Sequence, residues 1–253
     1  MDNQFVLQPL EVGRFPAFPL NRFLLNGEPD KSVEAPCISW FARSTSSDLA
    51  ILVDTGPAEP TEETSKFHLP LEVGEKRKVH NALKSHGIDP EEITHVVFTH
   101  LHFDHCAYAQ HLPNAKILVQ KSELQYAVAP QKAHLGGYEA SRPNVIPSWM
   151  RSFDRIVPIE GDISVAPGFQ ILLLPGHTYG SSGVVFNTAQ GRYAVAGDLI
   201  NQVENWEGDN GRHIPPAANI GIDQCHESFK RLEKEADTIL ASHDYRMFDK
   251  TRY

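Results

Sequence analysis

Cysteine is scarce in this chain. Cys37, Cys106 and Cys225 are its only three, and no two of them form a C-x-x-C pair. An odd, scattered set of thiols argues against a disulfide framework and for a reducing compartment. No apolar run approaches the length of a membrane span, and the opening Met1-Asp2-Asn3-Gln4-Phe5-Val6 has no basic segment ahead of an apolar one. The expectation is a soluble, cytoplasmic protein with no membrane partner. Positive charge is also in deficit: 23 Lys and Arg face 32 Asp and Glu, for a formal charge of -9. Neutralising phosphates needs basic residues, so nucleic acid is not the expected partner and a small molecule is. There is no internal repeat, no low-complexity tract, and no Gly-x-Ser-x-Gly elbow of the kind that presents a nucleophilic serine.

What is present is ordinary globular composition, 41% hydrophobic and 22% charged over 253 residues, enough to bury a substantial core. We read residues 1–253 as one domain. Strand-like runs stand at Cys37–Ala42, Leu49–Val53, His95–Phe98, Ala115–Gln120, Ile163–Val165, Phe169–Leu174, Gly183–Asn187, Tyr193–Ala196 and Thr238–Ala241. Helical spacing appears over Gly74–Gly87, with Val79, Ala82, Leu83 and His86 on one face and Gly87 as its stop. Asp89-Pro90 opens a very short helix, Ser122–Ala129 a longer one with Ser122 as cap, and Ile222–Ala236 is amphipathic through Ile222, Cys225, Phe229, Leu232 and Ala236. Residues 130–153 lose periodicity and read as a lid or insertion. Strands in both halves with helices between them predict two packed sheets covered by helices, an α/β protein.

The most informative run is Thr99-His100-Leu101-His102-Phe103-Asp104-His105, directly after the apolar Ile93–Phe98. On an extended strand end, His100 and His102 point to the same side, and a turn can bring Asp104 and His105 alongside. Imidazole and carboxylate are ligands of zinc and similar ions. Three later strands end the same way, at His177, Asp198 and His243. The set supplies five His and two Asp, enough for two ions with a bridging carboxylate.

With these residues, the chain resembles the metallo-β-lactamase superfamily from Val53-Asp54-Thr55-Gly56 to Ser242-His243-Asp244, and the run Thr99–Cys106 most resembles N-acyl homoserine lactonases. The resemblance implies an αββα sandwich, two mixed β-sheets flanked by helices, with its site on one edge. It implies one ion on His100, His102 and His177, a second on Asp104, His105 and His243, and Asp198 bridging them, with Asp54 supporting the site loops. Zinc is the implied metal, and an all-N/O set also suits manganese, iron or cobalt. A metal-bridging hydroxide would be the nucleophile, oriented by Asp104, so neither serine nor cysteine is needed. Ser181 and Ser182 then read as turn residues, Cys106 as a small packed residue and Cys225 as core. The resemblance is compatible with a homodimer, on which composition is silent.

The chain departs from the lactonases at Asn201, which stands where they carry a tyrosine that assists the substrate. An amide can donate a hydrogen bond to an oxyanion but is not a general acid. Tyr179 and Tyr245, beside two ligands, read as structural. Ala107-Tyr108 replaces glycines after the first motif. The substrate pocket is expected at Phe15–Leu20, at the insertion from Tyr138 to Phe153, and at the loop Asn201–His213, with Tyr108, Tyr138, Trp149 and Trp206 as substrate contacts and Phe153 reading as core.

The leading expectation is a metal-dependent hydrolase opening a small cyclic ester, with a cyclic amide or imide as variant. A glyoxalase-II-like thioesterase ranks second, a phosphodiesterase or RNase third. An iron-dependent oxidoreductase of the same fold, or a metal-binding module without activity, ranks below these, because the set of seven ligands is complete.

Overall fold

The computed structural model of the protein describes residues 3–253. A first sheet is built from β1 (Phe5–Pro19), β2 (Ser32–Ser44), β3 (Ala50–Val53), β4 (His95–Val97), β5 (Lys116–Gln120) and β6 (Ile156–Ile159), paired in that order. The first three strands are antiparallel, and β3 to β6 are parallel. A second sheet has the order β11-β10-β9-β8-β7, from β7 (Ile163–Ala166), β8 (Phe169–Leu173), β9 (Ser182–Thr188), β10 (Gly191–Val195) and β11 (Thr238–Leu240).

Strand alternation divides the core in two. Ile51, Val53, Val97 and Leu118 meet Phe169, Ile171, Val184, Phe186 and Ala194 between the sheets. Their neighbours Ala50, Leu52, Val96, Ile117 and Val119 face outward, under Val79, Ala82 and Leu83 of α3 (Val79–Ser85) and Ala127 of α4 (Lys121–Val128). Both faces of the parallel strands are thus covered, which is why they read as unbroken apolar runs. On the far side, α6 (Ile222–Glu235) presses Cys225, Phe229 and Leu232 onto the second sheet. Short helices α1 (Leu20–Phe23), α2 (Gly74–Arg77) and α5 (Val203–Glu207) lie between strands along the chain, and the expected two-sheet sandwich with outer helices is the observed fold.

Four readings need correction. The 15-residue β1 was not expected to be a strand, because Pro9, Gly13, Pro16 and Pro19 interrupt it. It is an edge strand with two register shifts, where proline is tolerated. The helix expected over Gly74–Gly87 is broken at Lys78, whose extended backbone separates α2 (Gly74–Arg77) from α3. Residues 74–78 carry no apolar side chain to hold them in phase with Val79, Ala82 and Leu83. Ser122 is not a cap, because α4 begins at Lys121 after an extended Gln120. Ile222 is exposed: it opens the first turn of α6, ahead of the buried Cys225. No helix among the described residues is long and apolar enough to cross a membrane.

Candidate metal centre

Strand direction brings the site together. β8 and β10 both pair antiparallel with β9, and β11 runs parallel to β10, so all three point the same way. His177, Asp198 and His243 follow their C-terminal ends. His100–His105 follows β4 on the facing sheet, and Asp54 follows the parallel β3.

Asp198 divides the cluster. Its Oδ2 is 4.0 Å from His100 Nε2 and 3.7 Å from His177 Nε2, while its Oδ1 is 3.2 Å from both His105 Nε2 and His243 Nε2. Asp104 stands on the second side, 3.8 Å from His105 Nε2 and from His243 Nε2. On the first side His102 Nδ1 is 3.0 Å from His177 Nε2. The structure therefore brings together all seven residues expected as ligands.

The far nitrogen of four of the five imidazoles is anchored. His105 Nδ1 donates to Asp54 Oδ2 at 2.8 Å, His177 Nδ1 to Ala218 O at 2.7 Å, and His243 Nδ1 to Pro36 O at 2.8 Å. His100 Nδ1 donates to Thr99 Oγ1 at 3.1 Å, and that hydroxyl donates on to Asp54 Oδ2 at 2.7 Å. A proton held on Nδ1 leaves the lone pair of a neutral ring on Nε2, aimed inward. The Nε2 atoms of His100, His105 and His243 are buried and have no hydrogen-bond partner. Buried nitrogens are rarely left so, and inward lone pairs beside two carboxylates are what a divalent cation satisfies. The cluster is able to bind metal. Asp54 supports it as expected, accepting also from Thr99 N at 2.7 Å, and it holds a left-handed φ of 62° to do so.

Electrostatics follow the same division. Burial, reinforced by neighbouring imidazoles, holds His100 and His102 well below the usual histidine range. Burial opposes charge on His105 and His243 too, but Asp198 and Asp104, joined at His105 by Asp54, raise both. Asp198, though buried, is held well below the carboxylate range by His105 and His243. The second side thus attracts positive charge.

A cavity of about 490 Å³ opens over the cluster. Phe15, Phe18 and Asn201 line it, as expected for two of the three pocket segments. The insertion contributes through 133–137 instead of 138–153. Among the described residues it is Phe23, Phe67, His68, Leu69 and Phe103 that complete the apolar wall, with His68 stacked 3.5 Å from the Phe103 ring. His68 was missed because it sits in an aperiodic loop with no motif around it.

The four aromatic substrate contacts do not line this cavity. Tyr108 lies in a smaller one of about 210 Å³, its hydroxyl accepting from Glu59 N at 2.9 Å. Tyr138 is buried beneath the site. Its hydroxyl needs a partner there and donates to Glu123 at 2.7 Å, while its ring meets His102. Trp149 is buried in the outer core beside Phe153, which is exposed and not core, and Trp206 stacks on His213 at 4.2 Å. Asn201 does reach the cavity, with Nδ2 donating to Asp198 O at 3.1 Å.

Cys106 packs as expected, with Sγ donating to His102 O, and Cys225 is core. Ser181 is a turn residue, accepting from Thr178 N, whereas Ser182 begins β9. Cys37 was not expected near the centre. Its thiol is buried, and burial, then Asp104 and Asp198, push it well above the ordinary thiol value.

A model of the metallo-beta-lactamase superfamily matches residues 34–243. An N-acyl homoserine lactonase of Bacillus thuringiensis is 29% identical over 230 residues, covering 85% of this chain and 84% of that protein. The crystal structure of a quorum-quenching N-acyl homoserine lactone lactonase superposes with a TM-score of 0.73 at 26% identity, covering 97% of this chain and 95% of that one. A dizinc quorum-quenching lactonase shares the fold at 18% identity and a TM-score of 0.69, covering 97% and 89%. The chain belongs to the metallo-beta-lactamase superfamily, among its lactonase-like metallo-hydrolases.

Proposed function

We propose that the protein is a dinuclear metal-dependent hydrolase that opens a small lactone bearing an apolar substituent. The observation that carries the reading is the division at Asp198, whose two oxygens face two separate sets of inward imidazoles. His100, His102 and His177 would hold one ion, Asp104, His105 and His243 the other, and Asp198 would join them. Zinc is favoured by the donor set and by the dizinc neighbour. Divalent ions there would lower the pKa of bound water to about 7 and polarise a carbonyl.

The chain's own groups supply the rest. Asp104 lies on the cavity wall, where its carboxylate can take a proton from the attacking water and return it to the leaving alkoxide. Water and the ring ester then become one hydroxy acid, with no covalent intermediate on the protein. The second N–H of Asn201 Nδ2 is free to donate to the carbonyl oxygen as charge develops there. Phe15, Phe18, Phe23 and Phe67 offer an apolar wall to an acyl substituent.

The test is a hydrolysis screen of the metal-loaded protein on acyl homoserine lactones, simple lactones, cyclic amides, thioesters and phosphodiesters, with bound metal counted. The expected result is two ions per chain and turnover of lactones. Asp198→Asn should lose at least about a hundredfold in kcat/KM while staying folded, since supporting residues alone act on a 10–100-fold scale. One iron per chain with oxygen consumption, or an unimpaired Asp198→Asn, would overturn the reading.

A further inference from the structure

The strand that carries Cys37 is clamped to the loop that carries His243. Pro36 O accepts from His243 Nδ1 at 2.8 Å, Ile38 N donates to Ser242 O at 3.2 Å, and Trp40 Nε1 donates to Ala241 O at 3.2 Å. Cys37 sits between these anchors and is fully buried. Its Sγ, a carboxylate oxygen of Asp104 and a ring nitrogen of His243 all lie within 4.8 Å of one another. The same His243 presents a buried Nε2 with no hydrogen-bond partner. Sulfur, oxygen and nitrogen donors thus converge from β2, the first motif and the loop after β11. Neither other cysteine does this: Cys106 Sγ is engaged by His102 O, and Cys225 packs in the core of α6.

We propose that Cys37 is a thiolate donor to the ion held by Asp104, His105 and His243, making this half of the centre selective for zinc-like cations over manganese. The proposal rests on the two-ion reading. On binding, the Cys37 S–H bond breaks, its proton passes to water and a sulfur–metal bond forms, so the donor set gains one negative charge. Soft thiolate favours zinc, whereas carboxylate and carbonyl oxygens suit manganese.

The experiment titrates the full-length, metal-free protein with Co2+, following near-ultraviolet absorbance and counting bound cobalt. Two equivalents should bind, one of them with a sulfur-to-cobalt charge-transfer band. Cys37→Ser should lose the band and bind that equivalent about tenfold or more weakly, the scale of supporting-residue losses, while circular dichroism matches the parent. Cys106→Ser and Cys225→Ala should keep the band, which assigns the thiolate by elimination even where Cys37→Ser does not fold. Two bound cobalt ions without a band, or a band that survives in Cys37→Ser, overturns the proposal. A single equivalent with the band overturns the two-ion reading alone. A single equivalent without it overturns both.

Discussion

Glu123 is a fully buried carboxylate with no cationic partner, and four donors surround it. Oε1 accepts from Leu101 N at 2.9 Å and Tyr138 Oη at 2.7 Å, and Oε2 from Thr178 Oγ1 at 2.7 Å and Gly180 N at 3.1 Å. It therefore ties the loop of His100 and His102 to the loop of His177. Burial holds its carboxyl above the ordinary glutamate value, although the four donors pull the other way. Ionisation then costs more in the folded chain than in the unfolded one. Its contribution to stability declines as pH rises through the glutamate range and levels off once the folded carboxyl has ionised. Glu123→Gln removes that slope and turns an amide N–H2 toward Gly180 N–H, leaving a buried donor unpaired at a cost of about 1–3 kcal/mol. Urea unfolding of both proteins across a pH series checks this, and parallel curves would refute it. The residues of the cluster were legible in the sequence because they follow the ends of apolar strands. Glu123 was not: its partners at 101, 138, 178 and 180 are distant in the chain, so nothing local distinguishes it from a solvated helix glutamate. Cys37 was hidden for the same reason, since Asp104 and His243 lie far from it in the chain, and His68 because no motif surrounds it.

At the scale of elements, the helical period located α6 but assigned its face one residue too generously. Cys225, Phe229 and Leu232 are buried against the second sheet, and Ile222 at the helix start is exposed. Phe229→Ala should cost about 3–5 kcal/mol through lost transfer energy and the cavity left behind. Ile222→Ala should fall within about 0.5 kcal/mol of the parent, as surface changes do. Denaturant midpoints at constant slope measure both, and comparable losses would show that α6 packs in a different register. Reading for unbroken apolar runs found the central strands because both faces of the parallel sheet are covered. It failed on β1, whose prolines are compatible with a strand only at a sheet edge. Edge position is a property of the assembled sheet, and no window of β1 carries it. Breaks such as Lys78 are hidden likewise, since a turn without apolar residues can lean either way.

At the scale of the molecule, the cluster joins the two sheets where they share an edge. His100, His102, Asp104 and His105 follow a strand of the first sheet, and His177, Asp198 and His243 follow strands of the second. A cation bound between them is a cross-link present in the folded chain and absent from the unfolded one, so it stabilises by mass action. At a hundredfold excess over Kd that is about 2.7 kcal/mol. For a chain of this size it corresponds to a rise in Tm of about 5–10 °C. Chelation should reverse the rise, and hydrogen exchange should accelerate in the loops after β4, β8, β10 and β11 together, with the strands keeping their protection. Asp198→Asn tests whether the cation works from the edge the sheets share, because Asp198 alone faces both sets of imidazoles. In that variant the metal-dependent rise should shrink by more than half. A rise of the parent's size would place the stabilising cation on surface carboxylates and separate metal-linked stability from the site that divides at Asp198.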